Sequence, residues 1–275
     1  MEGASTARFI ETAEVLRNDE VAPQQFRMRL RSPNIAQASI AGQFCMMSVA
    51  EGLDPFLRRP MCFERLHPDG FDVLYKIEGR GTQLMAEMEA GRSISIQGPL
   101  GNGWPLDAAF KRHVIVGGGI GVAPFPGLAE ALKEHLDVAP EVVLAARSKH
   151  LLFCEDDFRQ MDCTVHVATD DGSAGEQAFA AQMLERIAPG PDTRVYVCGP
   201  MIMMKTCSQV ALDAGASCLV SLEAQMACGD GVCLGCVVES KHEIEGEKMV
   251  RVCYDGPVFD TTDIDWKAHD LAYDV

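Results

Sequence analysis

His113-Val114-Ile115-Val116-Gly117-Gly118-Gly119-Ile120-Gly121-Val122-Ala123-Pro124 is a short apolar run that empties into four glycines within five residues. A run of that length bounded by glycine reads as a buried strand, and the residues from Pro124 to His135 carry a helical pattern. Strand, tight turn and helix N-terminus together present backbone N–H groups to a pyrophosphate. The alternative is an ordinary turn entering a helix, which seldom requires so many glycines. The strict G-x-G-x-x-G is not met, because counting from Gly119 the third glycine position holds Pro124. Pro124 suits a first helical turn, where its missing N–H removes no bond. The uncharged stretch Val114 to Ala129 is 16 residues long and falls short of the roughly 20 that span a bilayer.

Downstream the same rhythm repeats. Glu141 to Ala146, Cys163 to Thr169 and Val195 to Cys198 read as strands, and Glu176 to Ile187 and Met201 to Ala214 as helices. Alternating strand and helix predicts a parallel sheet covered by helices. Thr169-Asp170-Asp171-Gly172-Ser173 and Cys198-Gly199-Pro200-Met201 each stand where a strand ends, the edge at which ligands of open parallel sheets collect. Taken singly, they are also a generic turn and a generic stop. Leu144-Ala145-Ala146-Arg147 offers no clean acidic partner for a ribose, so NADH and NADPH stay undivided on local grounds.

Upstream, from Phe9 to about Gln97, the period is two: Phe26, Met28 and Leu30 alternate with Arg, and Phe71, Val73, Tyr75 and Ile77 with polar residues. Short strands at this spacing predict an antiparallel barrel or sandwich with one helix at Thr82 to Glu89. Gly98-Pro99-Leu100-Gly101-Asn102-Gly103-Trp104-Pro105 closes that region as a stretch in which no regular element should persist. Arg58-Arg59-Pro60-Met61-Cys62-Phe63 places two guanidinium groups beside an extended run, and Gly79-Arg80-Gly81-Thr82 leads into the helix. Arginine forks and a helix N-terminus suit a diphosphate, although the two arginines read alone are a solvated pair.

The last sixty residues break the rhythm again. Cys228-x4-Cys233-x2-Cys236, followed by Cys253, has plant-type [2Fe–2S] spacing. Gly229, Gly231 and Gly235 let the backbone close around a cluster without a Cβ in the way. The alternatives are a structural zinc site and four unrelated thiols; zinc usually takes two short-spaced pairs, and only one C-x2-C occurs here. A module this small rarely supplies enough core by itself, so loss of the metal is expected to unfold it. The reading as a whole is an α+β and α/β multidomain chain: an antiparallel β-barrel over 1–107, a parallel-sheet, Rossmann-like domain over 108–216 and a small C-terminal [2Fe–2S] module over 217–275.

Composition bounds the partners. Twenty-four Lys and Arg against forty Asp and Glu give a net charge of −16, which repels nucleic acid and anionic lipid. Met1 to Leu16 carries Glu2, Glu11 and Glu14 in place of a basic start and apolar core, so export is not expected. Eleven cysteines is an odd count, and reduced thiols in a cytoplasmic protein are the expectation. Met46, Met47, the methionines from Met201 to Met204, Phe125 and Trp266 read as core or subunit contact. No acid–base constellation stands out.

Taken in order, Arg58-Arg59-Pro60, Gly79 to Thr82, Gly98 to Gly103, Gly117 to Pro124, Thr169 to Ser173, Cys198-Gly199-Pro200 and the four-cysteine module resemble the ferredoxin–NADP reductase superfamily. Within it, their order and the ending Tyr254-Asp255-Gly256-Pro257-Val258-Phe259 are similar to the family of electron-transfer subunits of class 1B dihydroorotate dehydrogenases. The resemblance implies FAD held by Arg59, Pro60, Met61 and Cys62, by Tyr75, Lys76, Gly81 and Thr82, and by the glycine loop at 98–103. It implies NAD(H) on Gly118, Gly119, Ile120 and Gly121, with Asp171 and with Cys198, Gly199 and Pro200. The cluster would sit on Cys228, Cys233, Cys236 and Cys253.

The implied activity is that of an oxidoreductase subunit that moves electrons between NADH, FAD and the cluster, and onward to the FMN of a separate dihydroorotate-oxidising subunit, with two of each chain in a heterotetramer. Where that family commonly has serine after Arg-Pro-x, this chain has Cys62, so a hydroxyl contact to the flavin is lost or replaced by backbone. Similar subunits serve ferredoxin:NADP oxidoreductases, sulfide dehydrogenases and hydrogenase diaphorases. A non-catalytic, zinc-bearing interaction module is the alternative from another class.

Overall fold

The computed structural model describes residues 7–50, 52–244 and 246–268; Glu2 of the acidic start lies outside them. The first third of the chain folds into strands β1 (Phe9–Ala22), β2 (Gln25–Arg31), β3 (Phe44–Met47), β4 (Arg59–Cys62), β5 (Arg65–His67), β6 (Gly70–Lys76) and β7 (Ser93–Leu100). Two short helices interrupt them, α1 (Pro33–Ala38) and α2 (Arg80–Ala86). The seven strands form one antiparallel sheet in the order β4-β3-β7-β1-β2-β6-β5. It curls until β4 lies against β6. The period-two pattern sets its register: Met28 faces Val73 and Leu30 faces Phe71, and all four are fully buried.

Gly98, Pro99 and Leu100, expected to lie outside any regular element, complete β7. A strand tolerates them because the sheet partner fixes the backbone: Gly98 pairs with Phe9 and Leu100 with Phe44.

The second sheet contains β8 (Arg112–Gly118), β9 (Glu141–Ala146), β10 (Thr164–Thr169), β11 (Glu176–Gln177), β12 (Thr193–Cys198) and β13 (Ser217–Ser221), with α3 (Phe125–Leu136), α4 (Glu155–Gln160), α5 (Ala180–Ile187) and α6 (Met201–Asp213) between them. Alternate residues of one strand face opposite cores. Val114 and Val116 pack with Met183 and Leu184 of α5 and Met204 and Cys207 of α6, whereas Ile115 packs with Phe125 and Leu128 of α3 and Phe158 of α4. The helix expected over Glu176 to Ile187 begins only at Ala180; Glu176 and Gln177 instead extend the sheet beside β10. Gln182 accepts a hydrogen bond from the Phe179 N–H at 2.9 Å, which marks the start.

The C-terminal residues supply β14 (Val237–Ile244), β15 (Glu247–Arg251) and β16 (Val258–Asp260). The order of the second sheet is β11-β10-β9-β8-β12-β13-β16. Residues 217–221, which the sequence reading assigns to the last module, are therefore a parallel strand beside β12, and β16 adds to β13 antiparallel. Ser217-Cys218-Leu219-Val220-Ser221 is too short to declare its sheet; burial of Cys218 and Val220 against α6 decides it. Among the described residues no helix is long and apolar enough to cross a membrane.

Candidate functional site

The chain leaves β8 toward β9 on one side and returns to β12 on the other, so the sheet order reverses between β8 and β12. Crevices at such reversals, beyond the carboxyl ends of the strands, take ligands. Both glycine motifs meet there. The strand runs through Gly118, and Gly119–Val122 forms a single 3-10 turn ahead of α3. A Cβ on Gly121 would lie 2.5 Å from Gly199 Cα, and one on Gly118 would lie 2.5 Å from Met203 Sδ. Gly119, at φ +54°, would meet nothing within 4 Å. Gly121 lets two backbones touch, Gly118 makes room for the Met203 side chain, and Gly119 faces open space that a phosphate could enter.

Ile120 and Pro200 flank the same crevice, whereas Asp171 stands apart from it, on the loop after β10. Its Oδ1 accepts from the Ser173 N–H at 2.9 Å, and hydrogen bonds from Ser173 hold the carboxyl below the usual range. Ser173 Oγ accepts from the Lys149 N–H at 2.7 Å, and Ser148, Lys149 and His150 complete an open hollow of about 520 Å³.

On the first sheet, β4 carries Arg59, Pro60, Met61 and Cys62 along an edge, each half-buried. The Arg59 guanidinium lies on the first turn of α2: a Cβ on Gly81 would come within 2.0 Å of Arg59 Nε. Thr82 Oγ1 accepts from the N–H groups of Glu78 and Gly79, at 2.9 and 3.2 Å, and fixes that turn. Arg58 turns away: its Nη1 donates to Ser95 O at 2.7 Å, so it braces β7. Lys76 is paired with Glu78 at 2.6 Å. Tyr75 is 2% exposed, its ring is stacked on Phe26 and its hydroxyl donates to Asn18 Oδ1 at 2.9 Å. The side chain belongs to the interior of the sheet, which leaves only its backbone for a ligand.

The two halves converge on residues that local sequence does not single out. Glu223 follows β13 at the same sheet edge as Cys198 and is open to the cleft, yet protein surrounds it. The resulting desolvation, with a smaller push from Glu78, holds its carboxyl above the usual range. Burial pushes the Cys62 thiol up to about 12, and the Cys198 thiol well up, with Glu223 adding to both. Both thiols are neutral at physiological pH. The signal that could have found Glu223 is its position two residues past a strand of this sheet, which required knowing that 217–221 belongs to it.

Cys228, Cys233, Cys236 and Cys253 are drawn together in two pairs. Cys233 is the cysteine neighbour of Cys228, and Cys236 that of Cys253. Each sulfur accepts a backbone N–H: Asp230 to Cys228 at 3.4 Å, Gly231 to Cys253 at 3.2 Å, Gly235 to Cys233 at 3.4 Å and Cys253 to Cys236 at 3.4 Å. Amides directed at sulfur stabilise thiolates bound to metal. One tetrahedral zinc would hold four sulfurs mutually within about 3.8 Å, given Zn–S bonds near 2.3 Å. Among the described residues the trio of ligand atoms within 4.8 Å of one another is Glu64, Cys154 and Asp157, which is occupied by a guanidinium. Two cysteine pairs suit two metal ions side by side. Cys236 and Cys253 are buried, whereas Cys233 is exposed between Val232 and Leu234.

Residues 223–265 match the family model described as the iron–sulfur cluster binding domain of dihydroorotate dehydrogenase B, and residues 115–209 match the oxidoreductase NAD-binding domain. The chain is 35% identical over 258 residues to the dihydroorotate dehydrogenase B (NAD(+)) electron transfer subunit of Desulforamulus reducens, covering 93% of this chain and 98% of that one. It is 36% identical over 253 residues to the subunit of the same name from Geobacillus sp., covering 90% and 96%. The structure resembles an NADH-dependent reduced ferredoxin–NADP oxidoreductase with a TM-score of 0.81 and 27% identity, over 94% of this chain and 91% of that one. A ferredoxin NADP+ reductase from Neisseria gonorrhoeae with bound FAD and NADP shares the fold at a TM-score of 0.63 and 19% identity, over 75% of this chain and 92% of that one.

Proposed function

We propose, from the premise that the chain belongs to the family of dihydroorotate dehydrogenase B electron-transfer subunits, that it carries electrons between NAD(H) and a dihydroorotate-oxidising catalytic subunit through FAD and a [2Fe–2S] cluster. The observation that carries this reading is the paired arrangement of four cysteines, each with its own amide donor, on a reductase fold with a glycine turn at the reversal of its parallel sheet.

Cys228 and Cys233 would hold one iron, and Cys236 and Cys253 the other. The Arg59 fork and the first turn of α2 at Gly81 and Thr82 would bind the FAD diphosphate, with β4 from Pro60 to Cys62 and the backbone of Tyr75 and Lys76 along the ring system. Gly118 to Gly121 and Cys198-Gly199-Pro200 would take the dinucleotide, and Asp171 its adenosine end. When bound, FAD links the two-electron hydride of a nicotinamide to the single electrons that an iron–sulfur cluster carries. The chain's own part is positional: neutral thiols at Cys62 and Cys198 wall the junction without adding charge, and Glu223 retains its proton there to a higher pH than an ordinary carboxyl.

Electrons would leave through Cys233, whose loop presents Val232 at 78% and Leu234 at 59% exposure, an apolar rim suited to the FMN-bearing partner. Two copies of each chain in a cytoplasmic complex is the assembly we favour. Anaerobic purification tests the reading: two irons and one FAD per chain are expected, with NADH bleaching the flavin and dye reduction but no orotate formation in the absence of a partner. Zinc without flavin would support the interaction-module reading, and orotate formation by this chain alone would overturn the division of labour. Recovery with a ferredoxin-linked partner would assign the chain to the relative of similar structure instead.

A further inference from the structure

Outside the sites above, the most heavily built cluster of charge lies where the first sheet meets α3 and α4. Glu64, with a side chain only 1% exposed, directly follows Phe63 at the end of the β4 segment. Arg27 of β2 grips it from two nitrogens, Nε to Oε2 at 2.9 Å and Nη2 to Oε1 at 2.6 Å. The same Nη2 donates to Asp157 Oδ2 of α4 at 2.9 Å. Arg65 repeats the bridge, reaching Asp157 Oδ1 at 3.3 Å and Glu130 Oε1 of α3 at 3.3 Å. The backbone completes it: Glu64 O accepts the N–H of Gly127 at 2.8 Å, one of the donors that the first turn of α3 cannot satisfy within the helix. A Cβ on Gly127 would lie 3.0 Å from that oxygen, so the approach is near its limit.

The location gives these bonds their meaning. Glu64 stands two residues beyond Cys62, the end of the strand assigned to the flavin, and Gly127 stands in the turn of α3 that follows the dinucleotide turn. We propose that Arg27, Glu64 and Asp157, continued to α3 through Arg65, Glu130 and the Glu64 carbonyl, form an ionic latch that locks α3 and α4, the helices behind the dinucleotide-binding turn, to the flavin-binding strand, and that they are positioning residues for hydride delivery. The inference rests on the functional reading above. Buried ion pairs are weak devices for raising stability, because desolvation offsets the Coulombic gain, but they tolerate little misplacement once formed. Hydride transfer, in which two electrons and one hydrogen nucleus pass from the nicotinamide to FAD to give NAD+ and the reduced flavin anion, is correspondingly sensitive. A shift of about 1 Å can cost on the order of a hundredfold in rate.

The test compares Asp157→Asn and Arg27→Met with the wild-type chain, all loaded with FAD and cluster. Amide hydrogen exchange over 125–132 should accelerate at least tenfold while Val114 to Val116 of β8 stay protected. In stopped-flow, NADH-driven flavin bleaching at saturation should slow at least tenfold, with half-saturating NADH changed less than twofold and flavin content retained. Asp157→Glu, which restores the charge, should recover part of both signals. Unchanged exchange, or faster exchange with unchanged bleaching, overturns the proposal, and so does equal acceleration in β8, which would mean general destabilisation. A wild-type chain that NADH does not bleach would refute the functional reading instead, leaving the exchange comparison to judge the latch.

Discussion

At Gly121 a single hydrogen atom decides whether two loops can meet, since a Cβ there would stand 2.5 Å from Gly199 Cα, a backbone atom that cannot rotate aside. Gly121→Ala is therefore expected to push the glycine turn off the Cys198-Gly199-Pro200 loop, weaken NADH binding at least tenfold and cost about 1–3 kcal/mol of stability, with iron and flavin content unchanged. Titrating NADH against flavin bleaching, together with thermal melting, checks it. Glu223 provides a pH-dependent counterpart. Its folded-state pKa is raised, so the folded chain binds more protons than the unfolded one above the ordinary glutamate range. Its contribution to stability thus declines as pH rises from about 4.5, the unfolded value, through the raised folded one. Glu223→Gln should flatten that decline, and the difference between wild-type and variant melting profiles from pH 4 to 8 isolates it from Glu64, Glu130 and Asp263, which are also raised. An identical pair of profiles would refute it.

Among the elements, the loop after β7 has a second role. The resemblance assigns residues 98–103 to the flavin, yet Asn102 also clamps the segment that leads into β16. Its side-chain nitrogen donates to Asp255 O at 2.9 Å and Val258 O at 3.0 Å, its Oδ1 accepts from the Val258 N–H at 3.0 Å, and its own N–H donates to Gly256 O at 2.7 Å. Asn102→Ala keeps the bond to Gly256 O but removes the side-chain partner of Asp255 O and of both Val258 backbone groups, and is expected to cost about 1–3 kcal/mol. Limited proteolysis should then cut between 252 and 258 and release iron before flavin; flavin lost first would place the loop's main duty at the cofactor.

Across the whole molecule, the C-terminal cysteine loops are sewn to the parallel sheet. Leu222 N–H donates to Pro257 O, Thr261 N–H donates to Cys218 O, and β16 pairs with β13. The expectation from sequence was a module that unfolds entirely without its metal. With these attachments, chelating the iron should expose amides over 228–236 while Leu219 to Ser221 remain protected, and hydrogen exchange before and after chelation decides between the two. Loss of protection across β13 would restore the simpler picture.

What the sequence determined by itself is whatever depends on neighbours in the chain. The period-two pattern of Phe26, Met28 and Leu30, the apolar run ending at Val116, the four glycines after it and the cysteine spacing are local constraints, and each can be read without a fold. Tertiary structure alone decided matters that join distant residues. It made 217–221 a strand of the parallel sheet, turned Tyr75 inward to Asn18, brought Glu223 beside Cys62 and Cys198, and set Arg27 between Glu64 and Asp157. Those outcomes follow from burial and from the pairing of charges far apart in sequence, which no local period encodes.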